Sequence, residues 1–200
     1  MSVAPLRKGD TLLVVDVQED FVSGSLAVPG GAEVIPPLNE CIAAFHKAGL
    51  VVVATRDWHP PDHQSFREQG GPWPAHCVAD TTGAAFAARL KLPEGTWIAS
   101  KATRAAREAY SGFEGTDLDR RLNRLGQVRL FVGGLATDYC VLRTVLDART
   151  RGYETFVLAD AIRAVNVKPG DGDEAEDDMI RAGAHFITTA ELLGKADLDA

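Results

Sequence analysis

The stretch "VVVATRDWHPPDHQSF", Val51 to Phe66, places two different chemistries end to end. Val51 to Ala54 are apolar and rich in β-branched residues, with nothing polar between them, the pattern of a buried strand. Pro60 and Pro61 then forbid both a sheet ladder and a helix interior. The strand therefore runs out into a loop, and its carboxyl end releases Asp57, His59 and His63. Open α/β sheets bind ligands just outside the carboxyl ends of their strands.

On both sides of this stretch the same kind of run recurs. Strand-like segments lie at Thr11–Asp16, Leu50–Thr55, Thr96–Ser100, Val128–Gly133, Glu154–Ala159 and His185–Thr188. Helical periodicity separates most of them. Ala32–Lys47 carries Val34, Ile35, Leu38, Ile42 and Phe45 at helical spacing, with Pro36 and Pro37 tolerated near its start. Thr116–Leu125, Asp138–Arg149 and Asp173–Ala182 read as further helices, and a short one opens at Thr189. Strands alternating with helices give right-handed βαβ units. The expected fold is α/β: a three-layer αβα, Rossmann-like domain around a mostly parallel six-stranded sheet. No repeat or linker divides residues 1–200, so one domain is expected. The long irregular stretch Trp58–Thr82, with two Trp and three His, reads as functional.

The bulk composition removes several classes of function. A net charge of -7 and scattered Lys and Arg argue against nucleic acid or an anionic membrane as partner. No apolar run approaches the ~20 residues that span a bilayer. The amino terminus lacks the apolar core of a signal peptide. Three cysteines, Cys41, Cys77 and Cys140, form no C-x-x-C pair, which favours a reducing cytoplasm over a disulfide scaffold. The oligomeric state is left open, with a homo-oligomer compatible.

The strand ends converge on one crevice. The first ends in Asp16, the second in Asp57, the third runs into Lys101, and the fourth delivers Cys140 through "GGLATDYC". Thr137 or Asp138 suits an N-cap, which places Cys140 in a first helical turn, where the dipole favours thiolate. The alternative is a small buried hydrophobe, the reading that suits mid-helix Cys41. Asp16, buried behind "TLLVV", needs a donor such as Lys101 or the Cys140 thiol. Asp57, His59 and His76 form a mixed N/O donor set suited to Zn²⁺, Fe²⁺ or Mn²⁺, to which His63 or Glu68 adds a ligand or an outer contact. Cys77 is a softer candidate that points to the core.

These residues are familiar together. "DVQEDF", "TRDWHPPDHQSF", "GGPWPAHCV", "AYSGF" and "GLATDYCV" stand in the order and spacing of the isochorismatase-like cysteine hydrolases, and the chain most closely resembles their nicotinamidase (pyrazinamidase) branch. The resemblance implies an Asp16–Lys101–Cys140 catalytic triad and metal ligation by Asp57, His59 and His76, with zinc the first choice of ion. It implies pocket walls from Phe21, Trp73, Tyr110 and Leu135. It further implies a cis Leu135–Ala136 peptide that turns the Ala136 and Cys140 N–H groups into an oxyanion hole. Two residues depart from the family pattern: Glu19 stands for the common Asn, and Ala102 for the Gly that usually follows the lysine. The implied activity is hydrolysis of nicotinamide, and of pyrazinamide, in NAD salvage. An N-carbamoylsarcosine amidase-like hydrolase is the nearest alternative. A nucleotide- or metal-binding module is the alternative from another class, although "DVQEDF" is not the G-x-G-x-x-G turn that a Rossmann-like binder shows after its first strand.

Overall fold

The computed structural model describes residues 5–126 and 128–195. The one-domain expectation also covers residues 1–4, 127 and 196–200, which lie outside the described residues. Six strands form one sheet: β1 (Thr11–Val15), β2 (Val51–Asp57), β3 (Trp97–Lys101), β4 (Arg129–Leu135), β5 (Glu154–Arg163) and β6 (His185–Ile187). Their order is β3-β2-β1-β4-β5-β6, and every pair is parallel. The chain builds outward from β1 to β3, then crosses back and builds outward again from β4. The switch point therefore lies between β1 and β4, the place where such sheets open a crevice.

Side chains alternate across the sheet, so a strand covered on both faces must be apolar throughout. In β1, Leu12 and Val14 enter one core cluster while Leu13 and Val15 enter the other. The first cluster packs beneath α2 (Ile35–Lys47), with α1 (Glu19–Val22) and α6 (Thr189–Leu192) on the same side. The second packs beneath α3 (Leu118–Asn123), α4 (Leu142–Thr150) and α5 (Asp171–Arg181). The result is the three-layer αβα arrangement.

Local departures from the expected boundaries have local causes. The segment expected as one helix from Ala32 divides into a 3-10 turn, Gly31–Val34, and α2, because Pro36 and Pro37 have no N–H for the first α-helical bonds. β5 runs to Arg163 rather than Ala159. A register shift between Val132 and Gly134 lets β4 and β5 resume pairing at Ile162. Gly134 has φ +132°, and a Cβ there would stand 2.0 Å from the Val15 carbonyl oxygen, so no other residue fits so close to β1. Among the described residues, no helix is long and apolar enough to cross a membrane.

Candidate active site

Four strand ends supply the polar floor of one cleft. Asp16 follows β1 with φ +48°, and its backbone N–H donates to the Thr55 carbonyl at 3.2 Å. The Thr55 hydroxyl donates back to Asp16 Oδ1 at 2.6 Å. Lys101, 1% exposed at the end of β3, lies 2.9 Å from Asp16 Oδ2. Oδ2 thus meets Lys101 as a buried ion pair, with the Cys140 sulfur on the same side of the cleft floor. Lys101 Nζ also donates to Asp57 Oδ1 at 2.5 Å, to the Ala109 carbonyl at 3.2 Å and to Cys140 Sγ at 3.4 Å. Oxygens of Asp16 and Asp57 and the Cys140 sulfur lie within 4.8 Å of one another around that ammonium.

Burial sets the electrostatics here. It raises the Asp16 carboxyl pKa, reinforced by Asp57 and opposed by Lys101. Burial by itself lowers that of Lys101, but the Asp16 and Asp57 carboxylates overcome it and hold the ammonium well above its ordinary value. The Cys140 thiol is pushed well up by burial, with Asp16 and Asp57 adding to the shift and Lys101 countering it. This corrects the thiolate expectation. Cys140 also sits not in a first α-turn but in a wider π-helical turn, Thr137–Val141, that precedes α4. Neither Thr137 nor Asp138 caps it; Asp138 instead accepts from the N–H groups of Val165 and Asn166 at 2.9 and 2.8 Å. The Leu135–Ala136 peptide is cis.

Beside this floor, Asp57, His59 and His76 present ligand atoms within 4.8 Å of one another. His59 Nδ1 donates to the His76 carbonyl at 3.0 Å, and His76 Nδ1 donates to the Pro74 carbonyl at 2.8 Å. A carbonyl only accepts, so each ring carries its proton on Nδ1 and keeps a lone pair on Nε2. His59 Nε2 is buried without a partner, and burial pulls the His59 pKa down to about 3. An orphaned imidazole lone pair facing a second imidazole and a carboxylate fits a divalent metal with N/O ligands.

His63 does not join that set. Its Nδ1 accepts from the Ser65 hydroxyl at 2.7 Å and its Nε2 donates to the Arg107 carbonyl at 3.1 Å, so both nitrogens are engaged. Glu68 is exposed on the turn Arg67–Gln69 and belongs to none of the candidate metal groups. The acid that does approach is Glu108, grouped with His59 and His63; no pattern in the chain marks it, since it lies in a loop without a ligand-spaced neighbour.

A narrow, mainly apolar cleft of about 30 Å³ opens above these groups. Phe21, Trp73 and Tyr110, expected as walls, line it together with Ala136, but Leu135, also expected there, is fully buried in the core. Tyr139 is a wall not foreseen: its ring packs edge-on to Trp73 at 5.2 Å, and Trp73 Nε1 donates to the Tyr110 hydroxyl at 3.2 Å. Tyr139's place beside Cys140 in "ATDYC" was the available cue. Gln18, also unforeseen, is buried and grips the Asp57 backbone at both ends, donating to its C=O and accepting from its N–H at 2.8 Å each. Ala102 takes φ +52°, a conformation that favours Gly, yet Lys101 reaches Asp16, Asp57 and Cys140.

The Isochorismatase domain profile matches residues 10–191, and the chain belongs to that family. Among curated relatives it is 37% identical to the nicotinamidase of Escherichia coli over 202 residues, covering 90% of this chain and 95% of that one. Among solved structures it is similar to the pyrazinamidase of Pyrococcus horikoshii in complex with zinc (48% identity, TM-score 0.86, covering 90% of this chain and 99% of that one). It is also similar to a protein from L. infantum in complex with nicotinate (32% identity, TM-score 0.88, covering 96% and 98%).

Proposed function

We propose that this chain is a nicotinamidase that converts nicotinamide and water to nicotinate and ammonia, accepts pyrazinamide as a second substrate, and serves NAD salvage in the cytoplasm. The observation that carries the reading is the buried Asp16 carboxylate, paired with a charged Lys101 at 2.9 Å and grouped with a protonated Cys140 thiol on one cleft floor. Asp16 accepts the thiol proton, and Lys101 holds the resulting thiolate in place. The sulfur attacks the amide carbonyl carbon, and the N–H groups of Ala136 and Cys140 receive the oxyanion. Asp16 returns the proton to the departing nitrogen, so that ammonia leaves and a thioester remains. Asp16 then takes a proton from water, whose oxygen attacks the thioester; nicotinate leaves, and the sulfur regains its proton.

A divalent ion held by Asp57, His59 and His76 would supply a Lewis acid for the pyridine nitrogen; zinc is the ion proposed, and the same donors suit Fe²⁺ or Mn²⁺. Phe21, Trp73, Tyr110 and Tyr139 enclose a flat ring and exclude water from the thioester. The apolar cleft, with the Asp57 carboxylate and the His76 imidazole among its lining, suits a neutral heteroaromatic amide. Ammonia release from nicotinamide, with Cys140→Ala as control, tests the proposal. Wild-type protein that releases ammonia from N-carbamoylsarcosine but not from nicotinamide overturns it.

A further inference from the structure

The chemistry proposed above makes no use of Asp20, yet its carboxylate and backbone N–H together join three separate segments behind the cleft. Oδ2 accepts from the Cys77 N–H at 2.8 Å, and Oδ1 accepts from the Ser25 N–H at 3.1 Å. The Asp20 backbone N–H donates to the Gly83 carbonyl at 3.0 Å. Room for the carboxylate exists only because residues 24 and 83 are glycines. A Cβ on Gly83 would stand 2.1 Å from Oδ2, and one on Gly24 2.3 Å from Oδ1.

Cys77 is the residue that needs this support. Its φ is +45°, left-handed backbone that residues with a Cβ adopt at a cost. Both imidazoles of the candidate metal centre hang from this bend. The Cys77 carbonyl accepts from the His59 N–H at 3.0 Å, and the neighbouring His76 carbonyl accepts from His59 Nδ1 at 3.0 Å. The bend therefore fixes the direction of the His76 ring relative to His59. Phe21, the residue after Asp20, lies 5.5 Å from the His76 ring, so one short turn delivers both a pocket wall and the anchor of the opposite loop.

We propose that Asp20 is a positioning residue for the metal centre: by holding the left-handed Cys77 backbone, it sets His76 against Asp57 and His59. The inference rests on the metal reading given above. It is tested on metal-stripped protein by Zn²⁺ titration against a competing chelator. Asp20→Asn keeps the shape but turns one acceptor into a donor that faces an N–H. The expected result is Zn²⁺ affinity weaker by about 10- to 100-fold. Iodoacetamide labelling of Cys140 in the metal-free protein should stay unchanged, since Asp20 touches neither Asp16 nor Lys101. Adding Cys77→Gly should recover part of the affinity, because glycine takes the left-handed backbone without a support. Gly83→Ala, which displaces the carboxylate without removing its charge, is the second variant and carries the same expectation, so the idea stays testable if Asp20→Asn folds poorly. Variants that bind Zn²⁺ as tightly as wild type overturn the proposal, and so does wild type that binds none. Loss of affinity together with loss of Cys140 labelling also overturns it, since that marks general loosening. Absence of nicotinamide hydrolysis would sink the proposed activity while leaving the zinc titration to decide this point separately.

Discussion

Lys101 is a fully buried ammonium shared by two carboxylates and a sulfur, and its position decides the charge states around it. With the thiol protonated, Asp16, Asp57 and Lys101 sum to one negative charge. Moving the Cys140 proton to Asp16 trades the Asp16 charge for a thiolate, so the four groups together keep one negative charge and the step creates no new net charge in a low-dielectric site. Asp16→Asn removes the proton acceptor and keeps the shape. Its turnover should fall about 10²- to 10⁴-fold with the fold intact by far-UV circular dichroism. Cys140→Ser, a far poorer nucleophile, should lose several orders of magnitude. Because the resting thiol is raised, the alkylation rate of Cys140 in the free protein should still climb above pH 9, as thiolate forms only beyond the raised pKa. Lys101→Ala removes a charge that lowers the thiol pKa, and should move the profile further up. Asp16→Asn removes a charge that raises it, and should move the profile down. A common direction for the two variants would contradict this charge arrangement.

At the scale of elements, the carboxyl end of β2 and the loop that follows it supply the proposed metal ligands. Gln18 fixes the Asp57 backbone, while the bridge between His59 and Val78 ties the loop back beside the strand. His59→Ala should weaken metal binding, because it leaves two of the three proposed protein ligands. Its damage should fall on nicotinamide binding and positioning, while Cys140 stays open to small alkylating agents. Benzamide offers the carboxamide without the ring nitrogen and should be a poor substrate of the wild type. The preference for nicotinamide over benzamide should shrink in His59→Ala. Equal hydrolysis of both amides by wild type would remove the role given to the metal.

Across the whole molecule, the two ends of the sheet have different tasks. At the amino ends of β1 and β4, Arg129 forms a two-pronged pair with Asp10, at 2.7 and 2.6 Å, with both side chains buried. The pair joins residues 119 apart in sequence, at the end opposite the cleft. Arg129→Ala leaves Asp10 buried without its partner, at a cost of about 3–5 kcal/mol. The melting temperature should fall by roughly 10 °C. The kcat of the protein that remains folded should not change, since no cleft residue touches the pair. A lowered kcat at full occupancy of the folded state would mean that strain at the far end reaches the site.

Much of this protein is legible along its chain. Uninterrupted apolar runs such as "TLLVV" fix buried parallel strands, because a strand covered on both faces admits no polar alternation. Abrupt changes of chemistry at Asp16, Asp57 and Lys101 mark the strand ends that meet at the crevice. The motifs through "GLATDYCV" carry the family. What the chain alone leaves open is set by register and close packing. The pairing of Asp16 with Lys101, the engagement of both His63 nitrogens, the turning of Leu135 into the core and the arrival of Tyr139 each depend on atoms placed by distant segments. The thiol shows the same division. Its position after β4 follows from local pattern, but its raised pKa comes from burial and from carboxylates on two other strands. Local sequence determines which side chains arrive at the cleft. Only the folded sheet determines their charge and their partners, because both depend on distances between residues far apart in the chain.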